Sequence, residues 1–93
     1  MSRRPVHPGE ILADELAEIG MSAEALAREL RVPGNRISQI IAGKRAITAD
    51  TALRLGHWFG MSPEFWLNLQ KSFELRVALH EFGAEIQRLP RRA

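Results

Sequence analysis

Helix stops and helix starts follow one another so closely along this chain that it can hold only a series of mostly short helices. Gly20, Gly43 and Gly60 each close a run of apolar residues at helical spacing, and Ser22, Thr48 and Ser62 follow as N-caps. Pro8 occupies a first-turn position with Glu10 just inside it, and Ile11, Leu12, Leu16 and Ile19 then recur on one face. Ala23, Leu26, Ala27 and Leu30 repeat the pattern until Val32-Pro33-Gly34 breaks it, because Pro33 disfavours the helical region for Val32. Ile37, Ile40 and Ile41 mark a third segment, and Ala52, Leu55 and Phe59 a fourth. Ser62-Pro63 opens the fifth and longest, beginning Glu64-Phe65-Trp66. No period-two alternation bounded by hairpin turns competes. The spacing predicts an all-α chain with helices near 8–19, 23–30, 34–42, 49–59 and 63–81. A single domain over 1–82 is expected, followed by a loosely ordered basic tail over 83–93.

With 93 residues there is room for one core, and the 45% apolar content can build it without staples. The absence of cysteine removes disulfide frameworks, thiolate zinc sites and thiol nucleophiles. No apolar run approaches the roughly 20 residues that span a bilayer. The start Met-Ser-Arg-Arg-Pro has no apolar region behind it, so a cytoplasmic location is expected. His7, His57 and His80 lack metal-ligand spacing, and Asp14 and Glu18, at i and i+4 on one helix face, read most simply as surface charges. Glycine-rich phosphate loops are missing too. Neither catalysis nor a metal, cofactor or small-molecule ligand is expected.

The formal charge of +2 is unevenly spread. Residues 1–21 carry a net −2, whereas 22–47 carry +3 from Arg28, Arg31, Arg36, Lys44 and Arg45 against Glu24 and Glu29. The stretch 48–72 is neutral, and 73–93 adds +1. Positive charge gathered in one short stretch points to a polyanion face. That same stretch holds segments two and three, two short helices a few residues apart, which is the outline of a helix-turn-helix. Ala27 is small enough for the crossing point, and Ile37 and Ile40 supply the apolar back of the second helix. Its exposed N-terminal turns then carry Asn35, Arg36, Ser38 and Gln39. Asn35 and Gln39 can each donate and accept, which matches adenine N6 and N7; Arg36 suits guanine O6 and N7 or a phosphate. Lys44 and Arg45 fall where a backbone clamp helps, and Ser22 with the amides it caps suits another phosphate.

From Ser22 to Arg45, with Ala27, Leu30, Ile37, Ile40 and Gly43 in place, the chain resembles the lambda-repressor/Cro (XRE) type of helix-turn-helix. More widely it is similar to HigA-type antitoxins. The likeness rests on His7-Pro8-Gly9-Glu10-Ile11-Leu12, on Asn35-Arg36-Ile37-Ser38-Gln39, on the run from Gly43 to Leu55, and most specifically on Ser62-Pro63-Glu64-Phe65-Trp66-Leu67-Asn68-Leu69-Gln70. The resemblance implies a five-helix lambda-repressor-like domain. It also implies a dimer that represses its own operon at a palindromic operator and neutralises a HigB-type, RelE-like mRNA endonuclease. A stand-alone repressor without a toxin is the alternative. One departure stands out: the turn position usually held by glycine is Arg31, for which a left-handed backbone costs about 1–2 kcal/mol.

On the fifth segment, Trp66, Leu69, Phe73 and Val77 form one stripe, while Leu75, Leu79 and Phe82 fall on roughly the opposite side. A small monomer needs only one. The second is covered either by another copy of the chain or by the tail folding back over Leu79 and Phe82. The homodimer is favoured, because a palindrome needs two reading helices held about 34 Å apart. The acidic first segment, with Asp14, Glu15 and Glu18, offers a counter-surface for a basic toxin, although solvated helix charge is the simpler account.

Overall fold

Helix boundaries fall where capping chemistry puts them. The computed structural model describes residues 4–92 and contains α1 (Pro8–Ile19), α2 (Ala23–Leu30), α3 (Arg36–Ile41), α4 (Ala49–Phe59) and α5 (Pro63–Gln87). Ser22, Thr48 and Ser62 each adopt extended backbone and accept a first-turn amide through the side-chain hydroxyl, as expected of N-caps. At the other end, α1 to α4 share one device. The amides of Met21, Val32, Lys44 and Met61 each donate to the carbonyl five residues back, at 2.9–3.0 Å. The residue before each of them, Gly20, Arg31, Gly43 or Gly60, takes the left-handed conformation that this Schellman closure requires.

Two expectations are corrected. The third helix spans six residues rather than 34–42, because Pro33-Gly34-Asn35 close a turn through Arg36 N–H to Pro33 C=O at 2.9 Å. The fifth helix does not stop near 81: it continues through Gly83 to Gln87, so the stretch expected as a loose tail is helical over its first turns. A helix-interior glycine costs only about 1 kcal/mol, and Ala84, Glu85 and Gln87 are good helix formers. The effective stop is Pro90, which disfavours helical backbone at Leu89.

Packing sets the frame for the second and third helices. α4 lies along α5, α1 packs on α3 and α5, and α2 on α3 and α4. Leu12, Leu26, Ile37, Ile40, Leu55 and Trp66 are fully buried where these elements meet. The distal half of α5 leaves this body, which accounts for a long axis of 51 Å against 27 and 20 Å across.

Candidate nucleic-acid interface

Ala27 is fully buried at the contact of α2 with α3, and Ile37 and Ile40 seal the inner face of α3. The opposite face is therefore outward by helical geometry alone, and it carries Asn35, Ser38 and Gln39. Asn35 precedes α3 with φ −92° and ψ 0°, and its carboxamide makes no capping bond, so both donor and acceptor remain free. The Asn35 backbone carbonyl accepts from the Ser38 hydroxyl at 3.1 Å, which leaves the Ser38 oxygen as an acceptor. Gln39 is half-buried, and its Oε1 accepts from Arg45 Nε at 3.0 Å. Lys44 is exposed and forms no ion pair among the described residues. At the start of α2, Ser22 Oγ accepts from Ala25 N–H at 3.1 Å while its own proton stays free to donate.

Arg36 departs from this row. Its guanidinium turns towards α4, with Nη1 3.5 Å from Thr51 Oγ1 and 3.9 Å from Asp50. The side chain is largely buried, so Arg36 stands behind the exposed row and ties the start of α3 to α4. The other end of α2 is held from the same place: Arg54 Nε donates to Asp50 at 3.1 Å and its Nη1 to the Leu30 carbonyl at 2.7 Å. Asp50 and Arg54 thus bridge the end of α2 to the start of α3. Arg31, in the turn between them, is exposed with φ 57° and ψ 47°.

Known proteins share this fold. The family model described as Helix-turn-helix matches residues 12–66. Antitoxin HigA-1 of Vibrio cholerae is 42% identical over 74 residues, which is 78% of this chain and 70% of that protein. The structure of an addiction-module antidote protein of the HigA family from Coxiella burnetii superposes with a TM-score of 0.94 at 50% identity, covering 98% of this chain and 100% of that one. Pseudomonas aeruginosa antitoxin HigA, solved with the higBA promoter, gives 0.92 at 42% identity over 97% of this chain and 100% of that one. This chain belongs to the HigA group of the helix-turn-helix family.

Within this HigA-type fold, several supporting residues are ones that sequence reasoning misses. His7 is the N-cap of α1: Nδ1 accepts the Gly9 amide at 2.9 Å, and Glu10 reaches back to the His7 amide at 3.2 Å, completing a capping box. Histidine is not among the usual caps, so nothing in its residue type announces the role. Gln70 is buried; Oε1 accepts from Ile47 N–H at 2.9 Å and Nε2 donates to Glu74 at 2.9 Å, which pins the loop after α3 onto α5. Its place in the Ser62–Gln70 block is the only signal. On α5, Leu75, Leu79 and Phe82 are 70, 67 and 49% exposed, and no tail folds back over them among the described residues. Asp14 and Glu18 are exposed on α1 and Glu15 half-exposed, without a basic partner within ion-pair distance among the described residues. Among the described residues, no cluster of His, Asp and Glu fits a metal ion, and no helix is long and apolar enough to cross a membrane.

Proposed function

We propose that this chain is a homodimeric, operator-binding antitoxin that represses its own promoter and neutralises an mRNA endonuclease toxin of the HigB type. The observation that carries the DNA-binding part is the outward row of Asn35, Ser38 and Gln39 on a helix whose other face is sealed in the core, with Lys44 and Arg45 beside it. Base edges in the major groove need such donors and acceptors, and phosphates on either side need the cations. Ser22 serves as a phosphate contact, Lys44 as a clamp, and Arg36 as a brace. The likeness to the P. aeruginosa antitoxin solved with its promoter supports this reading, as does the likeness to the V. cholerae antitoxin.

The dimer rests on α5. Leu75, Leu79, Phe82 and Ile86 on α5, with Leu89 just past its end, are all at least 49% exposed and are spaced four, three, four and three residues apart. That is the a/d alternation of a two-helix seam, and a lone chain has no reason to leave it in water.

Two measurements test the proposal. The protein is titrated with the inverted-repeat DNA upstream of its reading frame at rising salt. A dimer contacting six to ten phosphates loses about 10³–10⁵ in affinity between 50 and 200 mM salt, whereas a purely protein-binding module shows no such slope. Co-expression with the small reading frame beside its gene, followed by size-exclusion chromatography, tests the antitoxin part. Co-elution with relief of growth inhibition is expected, and elution as a lone DNA-binding dimer rejects it.

A further inference from the structure

Resting on the DNA-reading function proposed above, we infer that Gln39 and Arg45 act as one guanine-reading unit, in which Arg45 fixes the polarity of the Gln39 carboxamide. An unconstrained glutamine is ambivalent: Oε1 accepts and Nε2 donates, which pairs bidentately with adenine N6 and N7. Here that freedom is removed. Arg45 Nε lies 3.0 Å from Oε1. A guanidinium has only donors, so the oxygen must be the atom facing Arg45 and the NH2 group must face away.

The pairing is built into the backbone. Gly43, at φ 76°, reverses the chain after α3; its amide donates to the Ile40 carbonyl at 3.0 Å, and the Lys44 amide to the Gln39 carbonyl at 2.9 Å. The next residue, Arg45, is thereby brought back alongside Gln39, and no carboxylate lies within ion-pair distance of it among the described residues.

What the pair presents to a groove is donors: both N–H bonds of Gln39 Nε2 and the terminal amino groups of Arg45, whose side chain bonds to Gln39 alone among the described residues. Guanine offers two acceptors, O6 and N7, in the major groove. Adenine and cytosine place an amino group against the donors, and an adenine amino group seeking the remaining lone pair of Oε1 meets the positive charge of Arg45. Thymine offers a single acceptor beside a methyl group. Asn35 has no such partner, so its carboxamide keeps both polarities and with them the match to adenine.

The test is selection from a pool of random double-stranded DNA by the full-length protein and by three variants, with helical content checked for each by circular dichroism. Gln39→Ala relaxes one position of the selected motif, which identifies the base pair it reads. The wild type holds guanine there. Arg45→Ala frees Oε1 and shifts that position towards adenine, changing the guanine-to-adenine ratio by about tenfold or more. Arg45→Lys, which still donates to Oε1, retains guanine. Adenine, cytosine or thymine at that position in the wild-type motif overturns the inference. So does an Arg45→Ala motif that is unchanged while affinity falls uniformly, since Arg45 is then only a phosphate contact. If the wild type selects no motif at all, the DNA-reading function itself fails, and this inference with it.

Discussion

At the scale of single residues, the chain keeps two unusual choices at helix ends. Arg31 is the only non-glycine residue with positive φ among those described, at a Schellman closure that glycine serves in α1, α3 and α4. Left-handed backbone costs a residue with a Cβ about 1–2 kcal/mol, of which glycine's greater unfolded-state entropy returns part. Arg31→Gly is therefore expected to raise stability by about 1 kcal/mol, seen as a higher thermal midpoint. If the midpoint does not rise, the strain is relieved by contacts of the arginine side chain. His7 makes stability depend on pH. Burial, against the edge-on ring of Phe73 at 4.8 Å, lowers its pKa, an effect only partly opposed by Glu10, and Nδ1 can accept the Gly9 amide only when that nitrogen is unprotonated. The unfolded chain thus takes up the proton more readily, and stability drops as pH falls through the ordinary histidine value of about 6.5, levelling off below the folded value. The denaturation midpoint should be lower at pH 5 than at pH 8, and His7→Asn, which keeps a capping acceptor, should flatten most of that difference. Glu10 acts in a separate window. Its pKa is held down to about 2 by the Arg4 guanidinium and then the His7 amide, so its contribution is present above 4.5 and fades only as pH falls towards 2.

At the scale of elements, the decisive contact is a glycine that periodicity cannot explain. Gly9 sits in the first turn of α1 where that helix meets the end of α3. A Cβ there would fall inside the contact distance of the Ile40 carbonyl oxygen and 2.9 Å from Ile41 Cα, both backbone atoms that cannot swing aside. Gly9→Ala should destabilise the fold by about 3 kcal/mol, the upper end of ordinary overpacking, and should loosen the base of the reading helix. A variant as stable as the parent would mean that α1 and α3 do not touch this closely in solution. Such contacts mark the boundary of what the sequence makes legible. Helix positions are legible because capping and apolar spacing are local: Ser22, Thr48 and Ser62 cap where expected. The outward face of α3 is legible because sealing Ile37 and Ile40 forces Asn35, Ser38 and Gln39 outward. Long-range polar ties are not. Nothing near Gln70 indicates that it satisfies an amide 23 residues earlier, nor anything near Arg36 that it turns to Thr51. The far end of α5 misleads because Gly83 looks like a stop, whereas the proline seven residues on does the stopping.

At the scale of the whole molecule, the extra turns of α5 change the argument about assembly. Three apolar residues near an expected helix end leave room for a tail to fold over them; four at four-three-four spacing on a projecting helix, with Leu89 just past its end, offer the proposed dimer a seam. A C2 partner meets that seam with the same residues, so one substitution acts twice in every dimer. Leu79→Glu places a carboxylate at the middle of the seam on each helix and should give a folded monomer by sedimentation, with α-helical content little changed because Leu79 is exposed within the single chain, and with a lower thermal midpoint because a partner no longer stabilises the native state. Its effect on DNA follows from linkage. In the proposed dimer, two reading helices joined through the seam would bind a palindrome with the second half-site held at high effective concentration, and separating them would forfeit about 10²–10⁴ in affinity without touching Asn35, Gln39 or Lys44. Fluorescence anisotropy on a full palindrome and on a single half-site separates the cases. The variant should lose affinity for the palindrome and match the wild type on the half-site. Equal loss on both would place the defect in the reading domain, and a Leu79→Glu protein that still sediments as a dimer would move the interface off α5 altogether.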